Sequence, residues 1–508
     1  MISSINRRDF LKLAGLLPLS LAAPRWTGRL SAPASRKNVV VIVFDAFSAL
    51  NISLYGYARD TTPNLKRLAK RAVVYHNHYA GSNFTTSGTA SLLTGTLPWT
   101  HRALQPDGRV SRSFETRSLF DTFGDYYRAA YTHNSWAYTL LQQFHPAIEQ
   151  LVPVRKLFLA YYDGFVESLF GKDDDVASVS WARDIKLQDG YSYSLFLSQI
   201  YKALADRQTA SRMLEFPRGL PRPSLSTGGD FILEQAIDWV GSLVTAIPRP
   251  FLGYFHFLPP HDPYNTSRQF FNAFRRDGYE PGVKPVDIFA TQVFEADDLR
   301  RLRREYDEYI LYVDSQFQRF YNALEQSGLL DNTWLILTSD HGELIERGIM
   351  GHGSNALYQP LVRIPLMIFE PGGRVGMDIH APTSAIDLLP TLAHITGHSI
   401  PDWAEGAILP PYAASGSDPD RPIYAVKAAA NDPSTALTHA STMLVRGRHK
   451  LLYYFGYPSQ GVDELVKLYN VQADPEEMFD LSGIRRDLAG ELLNELKSKL
   501  AEANGPYV

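Results

Sequence analysis

The sequence predicts an α/β fold: a doubly wound, mostly parallel central sheet with helices on both faces, followed by a smaller C-terminal α+β subdomain. Three observations carry that expectation. Asn38 leads into a continuous apolar run, Val39-Val40-Val41-Ile42-Val43-Phe44, that ends at a carboxylate, Asp45. A strand apolar on both faces belongs in the middle of a parallel sheet, where helices cover each side. A second run, Thr333-Trp334-Leu335-Ile336-Leu337-Thr338, stops just before Asp340. Between them, residues 297–326 place Tyr306, Ile310, Val313, Phe317 and Tyr321 on one stripe at helical spacing. Strand and helix patterns in alternation give a doubly wound sheet, and such sheets hold ligands beyond the carboxyl ends of their strands.

The remaining elements follow in order. Thr61-Thr62-Pro63-Asn64-Leu65 reads as a helix start, with Thr62 at the N-cap, Pro63 in the first turn, and Leu65, Leu68 and Ala69 on one face. Strands are expected over Ala129–Thr132 and Leu361–Phe369, a short helix over Ala385–Thr396 and a final helix over Asp487–Ala503. Residues 36–420 form the expected catalytic domain and 421–508 the C-terminal subdomain. Residues 137–230 interrupt the pattern. They are rich in aromatics, carry the acidic run Asp173-Asp174-Asp175, and are punctuated by Pro, Gly and Ser from Pro217 to Gly229. They read as a largely helical insertion over the active site.

Composition narrows the function. Hydrophobic residues at 45% and charged residues at 20% of 508 exclude extensive disorder. A net charge of −4 gives nucleic acid no footing. The chain has no cysteine, which removes disulfides, thiolate metal sites and cysteine nucleophiles together. At the N-terminus, Asn6-Arg7-Arg8-Asp9-Phe10-Leu11-Lys12 has the pattern of a twin-arginine export signal. The apolar stretch from Leu13 to Ala23 that follows is broken by Pro18 and is too short to span a bilayer. Residues 1–35 therefore read as a signal segment. The twin-arginine machinery becomes an expected partner, and the periplasm or another extracytoplasmic space the expected location. No other stretch approaches the roughly 20 apolar residues of a membrane helix, so no integral span is expected in the mature chain.

Three segments far apart in sequence offer chemistry: Asp45 at its strand end, Asn83 to Gly95 with its run of hydroxyls, and Thr338-Ser339-Asp340-His341-Gly342-Glu343. Two carboxylates, a hydroxyl and an imidazole form an oxygen and nitrogen set suited to zinc, manganese, magnesium or calcium. Singly, each has a plainer reading, as a turn residue or as a cap for a helix beginning near Ser87.

Together these segments resemble the sulfatase family of the alkaline phosphatase superfamily, over most of the chain. Leu54 to Leu65 is similar to the family's Y-G-Y-x-R-x-T-x-P-N-L segment, Ala90 to Gly95 to its A-S-L-L-T-G, and Thr338 to Glu343 to T-S-D-H-G-E. Leu357 to Leu366, Ile386 to Leu392 and Lys467 to Glu477 resemble later family segments. The resemblance implies an alkaline phosphatase-like sheet and makes Asp45, Asp340 and His341 metal ligands. Two departures stand out. Where many sulfatases carry a second Asp, this chain has Ala46. Where they carry the Cys or Ser that becomes formylglycine, it has Thr85, with Ser87 and Thr89 in place of the following Pro and Arg. A secondary alcohol cannot become that aldehyde. Thr85 instead resembles the nucleophile of phosphoethanolamine and phosphoglycerol transferases and of some phosphodiesterases. That likeness implies one divalent cation held by Asp45, Thr85, Asp340 and His341, with zinc or manganese placed before calcium or magnesium.

Thr86, one residue on, is expected to cap the following helix. His261, in a segment resembling the family's P-H-x-P, and His352, in Gly351-His352-Gly353, are expected to act on the substrate and its leaving group. Asn134, His133 and His256 are expected to contact substrate. The expected activity is metal-dependent hydrolysis or transfer of phosphate esters, phosphodiesters first, with a small-molecule or lipid-headgroup substrate. The alternatives are a sulfate ester hydrolase working without formylglycine, and a degenerate member that binds an anionic envelope component.

Overall fold

The computed structural model describes residues 36–157, 207, 210–222, 230–290, 292–373, 376–414, 416 and 418–508. The signal segment and most of the insertion, its acidic run included, lie outside the described residues. Lys37–Val508 forms one compact unit.

The first strand shows why the sheet is covered on both sides. β1 (Asn38–Phe44) is buried along its whole length. Its alternate residues enter different layers: Val40, Ile42 and Phe44 join Tyr306, Ile310, Val313 and Phe317. Val39, Val41 and Val43 join Ala90, Leu92, Leu93 and Leu140 on the other side. Fully burying each such side chain stabilises the fold by about 1.5–3 kcal/mol, so neither layer is dispensable. The long helix that makes the first layer runs over Ala296–Gln326, as its stripe predicts.

Eight strands make the sheet, in the spatial order Met377–Ile379, Val73–Tyr75, Leu366–Phe369, Thr333–Thr338, Asn38–Phe44, Phe251–Phe257, Tyr127–Thr132 and Gln150–Leu151. Leu366–Phe369 runs against both its neighbours, and the remaining pairs are parallel. Four strands carry the site: β1, β2 (Tyr127–Thr132), β3 (Phe251–Phe257) and β4 (Thr333–Thr338). Their ends lie level, with Val43 beside His256 and Thr338, and Thr132 beside His256. The residues that follow therefore converge on one edge of the sheet.

The C-terminal subdomain is a four-stranded antiparallel sheet, Ile423–Lys427, Ala440–Arg446, His449–Tyr457 and Val462–Asn470. The last helix, Arg486–Asn504, lays Leu492, Leu496 and Leu500 on its Leu444, Leu451 and Leu468. The sheet is tied to the catalytic unit where the Val426 N–H donates to Gly81 O at 2.9 Å and Ser82 Oγ donates to Val426 O at 2.7 Å.

Three expectations change. Leu361 and Val362 lie in a short helix, Gln359–Val362, and the strand begins only at Leu366, after Pro365. Proline at the helix start, and again before the strand, divides the apolar run into two elements. The assigned start of the insertion, residue 137, falls inside a helix, Ser135–Gln143, that packs in the central layers, and Gln150–Leu151 forms the sheet edge. The cap at Thr86 is also displaced. The helix spans Thr85–Thr94 with Phe84 at its N-cap, and Thr86 Oγ1 is buried without a hydrogen-bond partner.

Candidate active site

Asp45 follows β1, and its backbone N–H donates to Phe257 O at 2.9 Å. Asp340 and His341 follow β4, two strands away from β3. The helix α1 (Thr85–Thr94) brings Thr85 to them because glycine at position 88 lets it approach: a Cβ there would lie 2.3 Å from the Asp340 carbonyl oxygen. Gly342 allows a similar approach on the other side, where a Cβ would lie 2.0 Å from Pro360 O.

His341 is oriented by its neighbours. Its backbone N–H donates to Asp340 Oδ1 at 3.0 Å, and its Nδ1 lies 2.8 Å from Gly342 O. With Nδ1–H donating to that carbonyl, Nε2 is turned toward the site. Nε2 lies 3.4 Å from Asp45 Oδ1, 3.6 Å from Asp340 Oδ2 and 3.3 Å from Thr85 Oγ1. His256 Nε2 faces the same carboxylates, 3.3 Å from Asp45 Oδ2 and 3.8 Å from Asp340 Oδ2. All five side chains are fully buried.

Asn134 caps the helix α2 (Ser135–Gln143) through its Oδ1, which accepts from the backbone N–H of Trp136 and Ala137. That fixes the amide orientation and turns Nδ2 inward, 2.6 Å from Asp45 Oδ2 and 3.3 Å from Thr85 Oγ1. Asn134 thus holds both the carboxylate and the hydroxyl. His261 and His352 stand beside this cluster, their rings 4.7 Å apart, with His352 4.4 Å from the His341 ring. Asn134, Trp136, Leu258, His261, Asp262 and His352 line a cavity of about 260 Å3. His133 is placed differently. It stacks on Phe231 at 4.0 Å, and burial pushes its pKa down to about 3, so it packs as a neutral aromatic.

Electrostatics follow from burial and proximity. Burial pushes Asp45 up, but the imidazoles of His256, His261 and His341 around it outweigh that and hold the carboxyl well below its usual range. Asp340 is raised, by burial and then by Asp45. Burial opposes charge on His341, yet Asp340 and Asp45 push it up to about 9. Burial, with the charges of His341 and His261, holds His352 well below the ordinary value.

Buried without hydrogen-bond partners are Asp45 Oδ1, Asp340 Oδ2 and His256 Nε2, and these three residues can present ligand atoms within 4.8 Å of one another. A buried polar atom left unpaired costs on the order of 1–3 kcal/mol, more when charged. A divalent cation satisfies all three at once, and the donor set of carboxylate oxygens and imidazole nitrogens fits one.

Glu343 escaped assignment from sequence, although it closes the T-S-D-H-G-E segment. It is buried, its Oε1 lies 3.1 Å from His352 Nδ1, and burial pushes its pKa up to about 7. Its place two residues beyond His341 was the available signal.

The sulfatase family profile matches residues 37–398, and the chain belongs to that family. It is 26% identical over 453 residues to choline-sulfatase of Rhizobium meliloti (strain 1021), covering 83% of this chain and 77% of that protein. It is 24% identical over 409 residues to an arylsulfatase of Clostridium perfringens, covering 74% and 78%. The crystal structure of a phosphonate monoester hydrolase of Agrobacterium radiobacter superposes with a TM-score of 0.66 at 19% identity, covering 93% and 96%. The fold is that of the sulfatases in the alkaline phosphatase superfamily, and the chain is a sulfatase-family hydrolase. No described helix is long and apolar enough to cross a membrane.

Proposed function

We propose that this hydrolase cleaves phosphate esters, phosphodiesters first, with Thr85 as nucleophile. The observation that carries the reading is the position of Thr85 Oγ1, 3.3 Å from both His341 Nε2 and Asn134 Nδ2 at the start of a helix that no side chain caps. Uncapped amides there suit a phosphoryl oxygen. Asp45, Asp340 and His341 would hold a divalent cation, zinc or manganese first, which when bound would lower the pKa of the Thr85 hydroxyl and offset charge on the attacked group. Thr85 Oγ1, its hydroxyl proton released to solvent, forms a bond to phosphorus as the bond to the leaving oxygen breaks. Glu343, its carboxyl raised by burial, can pass a proton to His352 Nδ1 as the neutral His352 ring protonates that oxygen from the cavity side. Water then attacks phosphorus and returns the threonine.

A group parked on a secondary alcohol is released only by this second displacement, whereas an aldehyde hydrate can expel it by carbon–oxygen cleavage. That difference favours phosphorus over sulfur. The similarity to choline-sulfatase favours sulfate esters as the second reading. Arg7 and Arg8 support export by the twin-arginine route and hence an extracytoplasmic substrate, a small molecule or a lipid headgroup.

The test pairs turnover with mass analysis. Metal-loaded enzyme is offered matched aryl phosphodiester, phosphomonoester, phosphonate and sulfate substrates, and quenched turnover is searched for an adduct on the peptide containing Thr85. Thr85→Ala should lose several orders of magnitude and Thr85→Ser should keep part of the activity. An active Thr85→Ala enzyme, or an adduct on Thr86, would overturn the assignment. Turnover of sulfate alone would decide for the second reading.

A further inference from the structure

We infer that His256 is a ligand of the cation, making the centre one of two imidazoles and two carboxylates that selects zinc over calcium and magnesium. The inference rests on the cation site of the proposed function but does not depend on which hydroxyl attacks.

Three observations carry it. His256 Nε2 is fully buried without a hydrogen-bond partner, although two carboxylates stand near it. Its separations, 3.3 Å from Asp45 Oδ2 and 3.8 Å from Asp340 Oδ2, match those of His341 Nε2, 3.4 Å and 3.6 Å from the same residues. Ligand atoms about 2.0–2.2 Å from one tetrahedral cation lie about 3.3–3.6 Å apart, close to these imidazole–carboxylate separations. The other ring nitrogen, Nδ1, faces the Tyr254 hydroxyl at 3.5 Å, the outer contact that orients a ligating imidazole.

The position explains the chemistry of the site. β3 delivers His256 level with Val43 of β1, one residue short of Phe44 and two short of Asp45. Its imidazole thus reaches the carboxylates from the side of β1 opposite β4. Ala46 offers no third carboxylate, and a neutral nitrogen donor fills the coordination without adding negative charge. Calcium and magnesium prefer all-oxygen ligands, whereas imidazole suits zinc.

Zinc-edge X-ray absorption on the wild-type protein tests this without any variant. Two imidazoles in the inner shell are expected, and one would overturn the inference. In parallel, His256→Ala should weaken zinc binding by more than about 100-fold, the upper range for losing an outer-shell partner. Its far-ultraviolet circular dichroism should be retained. Equal concentrations of calcium or magnesium should fail to displace zinc from the wild type and should compete better in the variant. Unchanged zinc affinity in a folded His256→Ala protein would also overturn the inference. If the variant does not fold, the wild-type absorption spectrum decides. The two readings fail separately. Two imidazoles without an adduct on Thr85 would remove the nucleophile assignment alone, and a Thr85 adduct with one imidazole would remove this one.

Discussion

Replacing Gly88 by alanine tests whether the helix that carries Thr85 is placed by its contact with Asp340. The added Cβ would sit 2.3 Å from Asp340 O and 3.0 Å from Asp340 C, both of them backbone atoms that cannot rotate away. Reaching an ordinary contact near 3.4 Å requires about 1 Å of retreat between helix and loop. Thr85 lies one turn before Gly88 on the same helix, so its present 3.3 Å separation from His341 Nε2 would lengthen by a similar amount. A displacement of about 1 Å at a reacting group costs about 10²-fold in rate. Stability should change far less. Alanine gains about 1 kcal/mol over glycine in a helix, against about 1–3 kcal/mol for overpacking, leaving a net loss of about 0–2 kcal/mol. The assay compares kcat/KM, bound metal and thermal unfolding for Gly88→Ala and for Gly490→Ala, whose Cβ meets nothing within 4 Å. The first should lose about 10²-fold in turnover while remaining folded, and the second should be neutral or slightly stabilised. Full activity in Gly88→Ala would refute the claim that this close approach sets the active-site geometry.

Glu343→Gln removes the titratable carboxyl facing His352 Nδ1 while keeping shape. Turnover of alkyl esters should fall by about 10²-fold and that of a nitrophenyl ester much less, because a good leaving group needs no proton. An equal loss on both substrates would argue against His352 as proton donor. His101 is held neutral, with Ala103 N–H donating to its Nδ1 at 3.0 Å and burial pushing its pKa down to about 3. The unfolded chain binds that proton at about pH 6.5, so the contribution of His101 to stability is complete above pH 6.5 and is lost as pH falls toward 3. His101→Gln should flatten the loss of stability between pH 6.5 and 4.5 relative to wild type, as read by denaturant unfolding; parallel curves would contradict this. Replacing Arg7 and Arg8 together by lysine should retain the protein in the cytoplasm, and an unchanged extracytoplasmic fraction would remove the export assignment.

Much of this architecture is legible in the sequence because its periodicities are strong. The run from Val39 to Phe44 is apolar and β-branched at nearly every position and ends at a carboxylate, which suits a strand buried on both faces. The stripe from Tyr306 to Tyr321 likewise matches the helix that covers it. The Leu361–Phe369 run failed because hydrophobicity alone does not separate a short helix from a strand. Pro360 and Pro365 held the information. Thr86 failed for a different reason: a hydroxyl beside a helix start was read as a cap, whereas Phe84 holds that position in the structure. Asp45, Thr85, Asp340 and His341 converge as a set. His256 meets Asp45 and Asp340 only through strand register, and Glu343 meets His352 only through loop packing. Asn134 shows the limit of reading one residue at a time. Its side chain is both the cap of a helix and a support for Asp45.

The departures at Ala46, Thr85 and Thr89 weigh against a chain that merely binds an anionic envelope component. Relative to the family pattern, Ala46 removes one negative charge and Thr89 one positive, so the formal charge around the site stays balanced. Ser87, where the family has proline, is accommodated too, with its Oγ donating to Ala103 O at 2.6 Å. Ala46 keeps a left-handed backbone, φ 57°, which costs an alanine roughly 1–2 kcal/mol. That conformation is held by Tyr306 Oη donating to Ala46 O at 2.5 Å and by the Ala46 N–H facing Asp340 Oδ1 at 3.4 Å. Two carboxylates confined together away from water are unfavourable without a compensating charge, and apolar replacement commonly stabilises a protein at such positions. A site that had lost its chemistry would gain stability by losing Asp45 or Asp340. Both remain fully buried, each facing two imidazoles and, for Asp45, the amide of Asn134. Retained strain and retained buried charge at one point on the sheet are the costs of a working cation site, and a passive binding surface has no use for either.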